Sequence, residues 1–240
     1  MKFKSLMVCS LLGSLLIQLL ALSDSAAQEK AAAQLRKPEM KDTIKATVYA
    51  DNTFQLYLNG ELVAVDSIRF IPHNVIEVDI LPSYPLTIAV LAEDDADPKT
   101  GMEYANTNIG DGGSILKFGD GTVTDKSWRA LAVSRGPLDG DTKNPRVENI
   151  AVPDGWYRAG FDDSKWPQAT EYAEDEVGPK QPYIDHEFKG AKFIWSGDVK
   201  LDNKVLLRKV LETPPDGKER TDFSNLNNVV PAGGGRRPRR

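Results

Sequence analysis

A chain of 240 residues with a hydrophobic share of 40% can bury a sizeable core as one large β-domain or two small ones. Its formal net charge of −5 argues against a general nucleic-acid binder. The only cysteine is Cys9, which excludes a disulfide-stapled module and cysteine-ligated zinc, and leaves no thiol nucleophile once the first residues are removed.

Residues 1–27 read as a secretory signal peptide. Lys2 and Lys4 form a short basic region, residues 6–22 are largely apolar, and Ser25, Ala26 and Ala27 supply small side chains for cleavage. The competing reading is an uncleaved anchor, which Ser14 and Gln18 interrupt. A lipoprotein signal is disfavoured because Val8 stands before Cys9 where a small residue is expected. The mature protein is therefore expected to be secreted or periplasmic, with no transmembrane span after cleavage. Residues 28–41, rich in Ala, Gln, Lys and Glu, read as a linker.

The domain is expected over residues 42–211. Ala46, Val48 and Ala50 alternate with Thr47 and Tyr49, and Phe54, Leu56 and Leu58 alternate with Gln55 and Tyr57. That period of two predicts half-buried strands on either side of a turn at Asp51-Asn52. Asn59-Gly60 tolerates positive φ at both centres of a type I′ turn, so residues 61–65 should return as the third strand of a meander. Alternation resumes at Ile76, Val78 and Ile80 and again at Leu86, Ile88 and Val90, with Pro82 and Pro85 between.

Residues 93–113 are polar and turn-rich, long enough for a loop that is functional or tied down by an ion. Strand signals return at 114–118, Asp120-Gly121 marks a further hairpin, and residues 205–210 form the closing strand. No useful length has helical apolar spacing, so the class is all-β, and an apolar ribbon of this kind needs a second sheet to cover it. Residues 212–240, ending in GGGRRPRR, read as a disordered Gly/Arg-rich tail, whose Arg236, Arg237, Arg239 and Arg240 could touch anionic envelope polymers.

Several stretches, taken in order, resemble the galactose-binding-like jelly-roll domains that accompany α-L-rhamnosidase-type glycosidases. They are residues 49–52 with 54–60, Asp120-Gly121-Thr122 with Thr124, Asp125 and Trp128, Gly155-Trp156 with 161–164 and Trp166, Phe193-Ile194-Trp195, and Leu207-Arg208. The resemblance covers about residues 44–210 and implies a two-sheet jelly-roll β-sandwich. It also implies a carbohydrate-binding role and a structural calcium. The chain has no room for the helical catalytic barrel of those enzymes, so the sandwich is expected to act as a freestanding module.

Among the tryptophans, Trp128, Trp166 and Trp195 read as core, and Trp156, followed by Tyr157 beside a loop, is the candidate to meet a sugar ring. Tyr104, Asn106 and Asn108 combine an aromatic with amides that both donate and accept, the chemistry of hydroxyl recognition. The glycan-binding candidates are thus Tyr104, Asn106, Asn108, Trp156 and Tyr157. Asp94, Asp95 and Asp97 are candidate Ca²⁺ ligands, a solvated acidic loop being the alternative. His73 and His186 lie far apart, and the chain has no nucleophile elbow, P-loop or dinucleotide fingerprint, so no catalytic residue is assigned. The expectation is a non-catalytic module for a glycan or related polyol; the alternatives are an envelope module that docks a partner protein and a small carbohydrate-active enzyme.

Overall fold

The alternation at the start of the domain forms β1 (Ile44–Asp51) and β2 (Thr53–Leu58), but the two strands do not pair. A computed structural model describes residues 38–66 and 74–223; the expected signal peptide, most of the expected linker, His73 and the Arg-rich end lie outside the described residues. Within it Met40–Arg220 forms one compact unit. Strand content is 39% against 7% helix, so the all-β class holds.

The other long strands are β3 (Glu61–Val65), β4 (Val75–Ile80) and β5 (Leu86–Glu93), then β8 (Gly113–Phe118), β9 (Arg129–Arg135) and β13 (Asp202–Leu211). Shorter ones are β6 (Met102–Glu103), β7 (Asn108–Ile109), β10 (Glu148–Asn149), β11 (Thr170–Tyr172) and β12 (Phe193–Trp195). They make a five-stranded sheet, β11-β12-β8-β1-β4, a six-stranded sheet, β10-β9-β13-β5-β2-β3, and the small hairpin β6-β7. Every described pairing of named strands is antiparallel.

The expected three-stranded meander is therefore corrected: β1 belongs to the five-stranded sheet, and only β2 and β3 form a hairpin. Alternation establishes that a strand has one apolar face; it does not name the neighbour. Val48 and Ala50 of β1 and Phe54 and Leu56 of β2 are all buried in one core, which two strands meet from opposite layers as readily as from one. The Asn59-Gly60 turn forms as expected, with φ of 48° and 92° at its two centres.

Both outer faces are covered as well. On the five-stranded sheet, Tyr49 packs against Tyr183, ring centroids 5.3 Å apart, and Tyr183 stacks on Phe188 at 5.2 Å. These come from the irregular stretch holding the short helix α1 (Glu174–Val177) and a 3-10 turn at Tyr183–Asp185. On the six-stranded sheet, Trp156 and Trp166 close a second cluster over Ala89, Val133 and Leu206. Arg208, one strand position beyond the inward-facing Leu207, lies beneath that cover at 1% exposure.

All four tryptophans are buried: Trp128 and Trp195 at 0%, Trp156 at 4% and Trp166 at 8% exposure. The core role of three of them stands. Residues 212–220 continue inside the compact unit beyond the expected end of the domain, with Arg220 paired to Asp216 at 2.7 Å.

Candidate functional site

At the end of the sandwich where β1 and β5 stop, residues 94–112 leave the six-stranded sheet as a long excursion. Backbone bonds fix its root: Asn52 N–H donates to Glu93 O at 2.8 Å, and Asp94 N–H donates to Asn203 O at 2.9 Å. Asn52 Oδ1 accepts from Asp95 N–H at 2.6 Å. A tight turn follows, in which Asp97 O accepts from Thr100 and Gly101 N–H and Asp97 Oδ1 accepts from Lys99 N–H at 2.7 Å.

Gly101 has φ +68° and backs directly onto Gly136; a Cβ there would lie 2.4 Å from the Gly136 carbonyl carbon. Only glycine allows that crossing. Asn203 bridges it, its Nδ2 donating to Gly101 O at 3.4 Å and to Gly136 O at 3.1 Å.

The hairpin β6-β7 comes next. Tyr104, Ala105 and Asn106 at its tip have φ of 47°, 57° and 66°, three consecutive non-glycine residues in the left-handed region. Each costs about 1–2 kcal/mol in that conformation. The tip is held by Thr107 Oγ1 donating to Tyr104 O at 2.8 Å and by Thr100 Oγ1 donating to Asn106 Oδ1. Its effect is to turn Tyr104 outward, with 63% of the residue exposed.

Beneath the hairpin lies a group of carboxyls from different segments. Asp51, Asp94 and Glu103 are 2%, 6% and 5% exposed. Burial, then Glu103 within hydrogen-bonding reach, then the charges of Asp51 and Asp111 push the Asp94 carboxyl from 3.8 up to about 10. Burial beside Glu103 thus favours the protonated form of Asp94.

The structure separates the three expected calcium ligands. Asp94 turns inward toward Glu103, Asp95 is exposed, and Asp97 caps its own turn. Among the described residues no three His, Cys, Asp or Glu side chains converge to hold a metal ion.

The expected glycan residues also divide. Tyr104 and Asn108 are exposed on the hairpin, while Asn106 is occupied with Thr100. Trp156 is buried and offers no face to a sugar, and Tyr157 lies half-buried on Tyr57, their rings stacked at 4.7 Å. Tyr57 sits four residues along β2 from Thr53, which pairs with Glu93, so this pair is about 13 Å along the strand from the acidic end.

Beside the excursion, between residues 93–98 and 149–152, runs a cleft of about 390 Å³, within the range of small-ligand sites. Ile150 and Val152, 46% and 43% exposed, give it an apolar side. Lys204 reaches in from β13 and pairs with Glu93 at 2.8 Å. The loop joins cleft and hairpin, because Asp97 N–H donates to Met102 O at 2.9 Å.

Sequence reasoning did not identify Asp51, Asn203 or the far wall of the cleft. Glu103 beside Tyr104 was the one local signal; the others meet the loop only through pairing across the sheets. The site thus belongs to a two-sheet antiparallel β-sandwich with an elaborated loop end. No protein-family model, curated protein or solved structure matches the chain.

Proposed function

We propose that this chain is an exported, non-catalytic carbohydrate-binding module of the galactose-binding-like jelly-roll type. The observation that carries the reading is Tyr104: an aromatic ring held 63% exposed at the tip of a left-handed hairpin whose strand β7 carries the exposed Asn108 amide. Strain of this kind persists where the surroundings enforce it, and here its product is a sugar-sized aromatic platform.

The jelly-roll assignment is supported by the way the chain passes repeatedly between layers, β1 to β2, β3 to β4, β4 to β5 and β8 to β9. The absence of catalysis is supported by the acidic pair itself. Asp94 and Glu103 are both buried, whereas glycoside hydrolysis needs two carboxyls about 5–9.5 Å apart across an open bond. Export is supported by the basic, apolar and small-residue order of residues 1–27. A module with its flat faces covered recognises ligand at strand ends, weakly, with Kd on the order of 0.1–1 mM.

A glycan array followed by calorimetry tests the reading. Tyr104→Ala should weaken binding roughly fivefold, about 1 kcal/mol for one aromatic contact, without altering the melting temperature. Absence of glycan binding in the parent protein would transfer the function to the second reading, an envelope module docking a partner protein. Leu62 and Val65, 53% and 41% exposed on the edge strand β3, favour that alternative.

A further inference from the structure

We propose that β3 is a dimerisation edge, on which a second copy of this chain adds its own β3 antiparallel across a two-fold axis. The inference goes beyond the carbohydrate-binding reading and does not depend on it.

Edge strands are normally blunted by shortness, charge or proline. Three of the four outer strands of the two main sheets follow that rule: β10 and β11 have two and three residues, and β4 carries the exposed Glu77 and Asp79. β3 does not. Its five residues, Glu61–Val65, hold no lysine, arginine or proline, and among the described residues it pairs with β2 alone.

The order of its faces is palindromic. A bulge sets Leu62 opposite Tyr57 and Val65 opposite Gln55, both exposed on the outer face, while Val63 and Ala64 between them pack on the core. Outer, inner, inner, outer is unchanged by reversal. A two-fold axis between Val63 and Ala64 therefore lays Leu62 against Val65 of the second copy and Val63 against its Ala64, like face on like face. Asp66 N–H donates inward to Phe54 O at 2.9 Å, which by alternation turns the backbone groups of Val65 to the open edge. Val65 also lines a hollow of about 270 Å³ with Gln55 and Leu91, and the facing Leu62 stands at its rim.

Charge favours the antiparallel arrangement. The exposed Arg158 lies at the Glu61 end, its Cγ 3.5 Å from the position a Cβ would take on Gly60. The other end carries Asp66 and Glu93, the second already paired with Lys204. Antiparallel pairing brings Arg158 of each copy toward the acidic end of the other, which offsets the approach of Glu61 to Asp66.

Sedimentation velocity on the exported chain should show a monomer-dimer equilibrium with Kd on the order of 10 µM, since one short strand pair buries less than a standard interface. Leu62→Lys and Val65→Lys should each weaken it by roughly tenfold or more, with the melting temperature of the dilute monomer unmoved. Arg158→Glu should weaken it severalfold, and Ile150→Lys on the opposite side of the sheet should leave it unchanged. In a Cys9→Ser background, Leu62→Cys and Val65→Cys together should give a disulfide-linked dimer under mild oxidation and neither alone should, because facing residues of a hydrogen-bonded pair have Cα atoms about 5.5 Å apart. A chain that stays monomeric at several hundred micromolar overturns the dimer and leaves β3 to a different partner protein. A dimer that survives both lysine variants, or that single cysteines link as readily as the pair, overturns it too. Glycan affinity measured on the dilute monomer is independent of these results, so their failure leaves the carbohydrate reading to its own test.

Discussion

Arg208 meets Asp163 at 2.8 Å from beneath the segment that covers the six-stranded sheet, and the same guanidinium donates to the carbonyls of Trp156, Arg158 and Phe161. It also lies 5.2 Å from the centre of the Phe161 ring. One side chain at 1% exposure thereby fastens a whole irregular stretch to a sheet face. Removing one partner of a buried pair costs about 3–5 kcal/mol, because the other charge is left without compensation. Asp163→Ala should approach the lower end of that range in denaturant unfolding, as Asp163 is partly exposed and the carbonyls still serve the arginine. Arg208→Lys should not restore stability, since an ammonium cannot reproduce the planar fork.

Trp128 is fully buried and donates through Nε1 to Val123 O at 3.0 Å. Trp128→Ala should cost about 3–5 kcal/mol, the usual effect of deleting a large buried aromatic. A melting temperature that barely moves would contradict the core role.

The contribution of Asp94 to stability should fall as pH rises between about 4 and about 10. Asp94 has its carboxyl raised from 3.8 to about 10, so the folded state binds a proton that the unfolded state releases throughout that interval. Stability is greatest, for this group, below the unfolded value and is lost as pH climbs to the folded one. Asp94→Asn keeps the shape and a donor while removing the titration. It should raise stability at mildly alkaline pH by at least about 1 kcal/mol and converge with the parent near pH 4. Urea unfolding at a series of pH values measures the difference.

Calcium should leave the melting temperature nearly unchanged, because Asp94 turns inward toward Glu103 and no three acidic side chains converge on a metal position among the described residues. A scan in chelator against one in millimolar calcium checks this. A rise following ln(1 + [Ca²⁺]/Kd) would reveal a native-state site.

Strands were legible in the sequence wherever residues of one face alternate, as in Phe54, Leu56 and Leu58, and the Asn59-Gly60 turn was legible from its own φ requirements. Partnership was not. Nothing local distinguishes β1 as the neighbour of β4 and β8 from β1 as the neighbour of β2, because that choice depends on contacts made far along the chain. The same limit governs the site. Tyr104 could be read as an exposed aromatic among amides, whereas Trp156 looked alike and is buried by packing over Leu206. Asp94 and Asp95 are chemically equal neighbours; the pairing at the end of β5 turns one inward toward Glu103 and leaves the other in solvent.

The position of β13 has a consequence for how the chain comes to be folded. This last strand lies between β9 and β5, and its Lys204 stands opposite Glu93, 111 residues earlier. A polypeptide emerging amino end first, from a ribosome or through a membrane pore, cannot complete the six-stranded sheet until Leu211 has cleared the exit. Until then β5 and β9 lack the strand that joins them. Such long-range closure is slow, because the loop entropy between residues 93 and 204 must be met before the contacts that repay it can form.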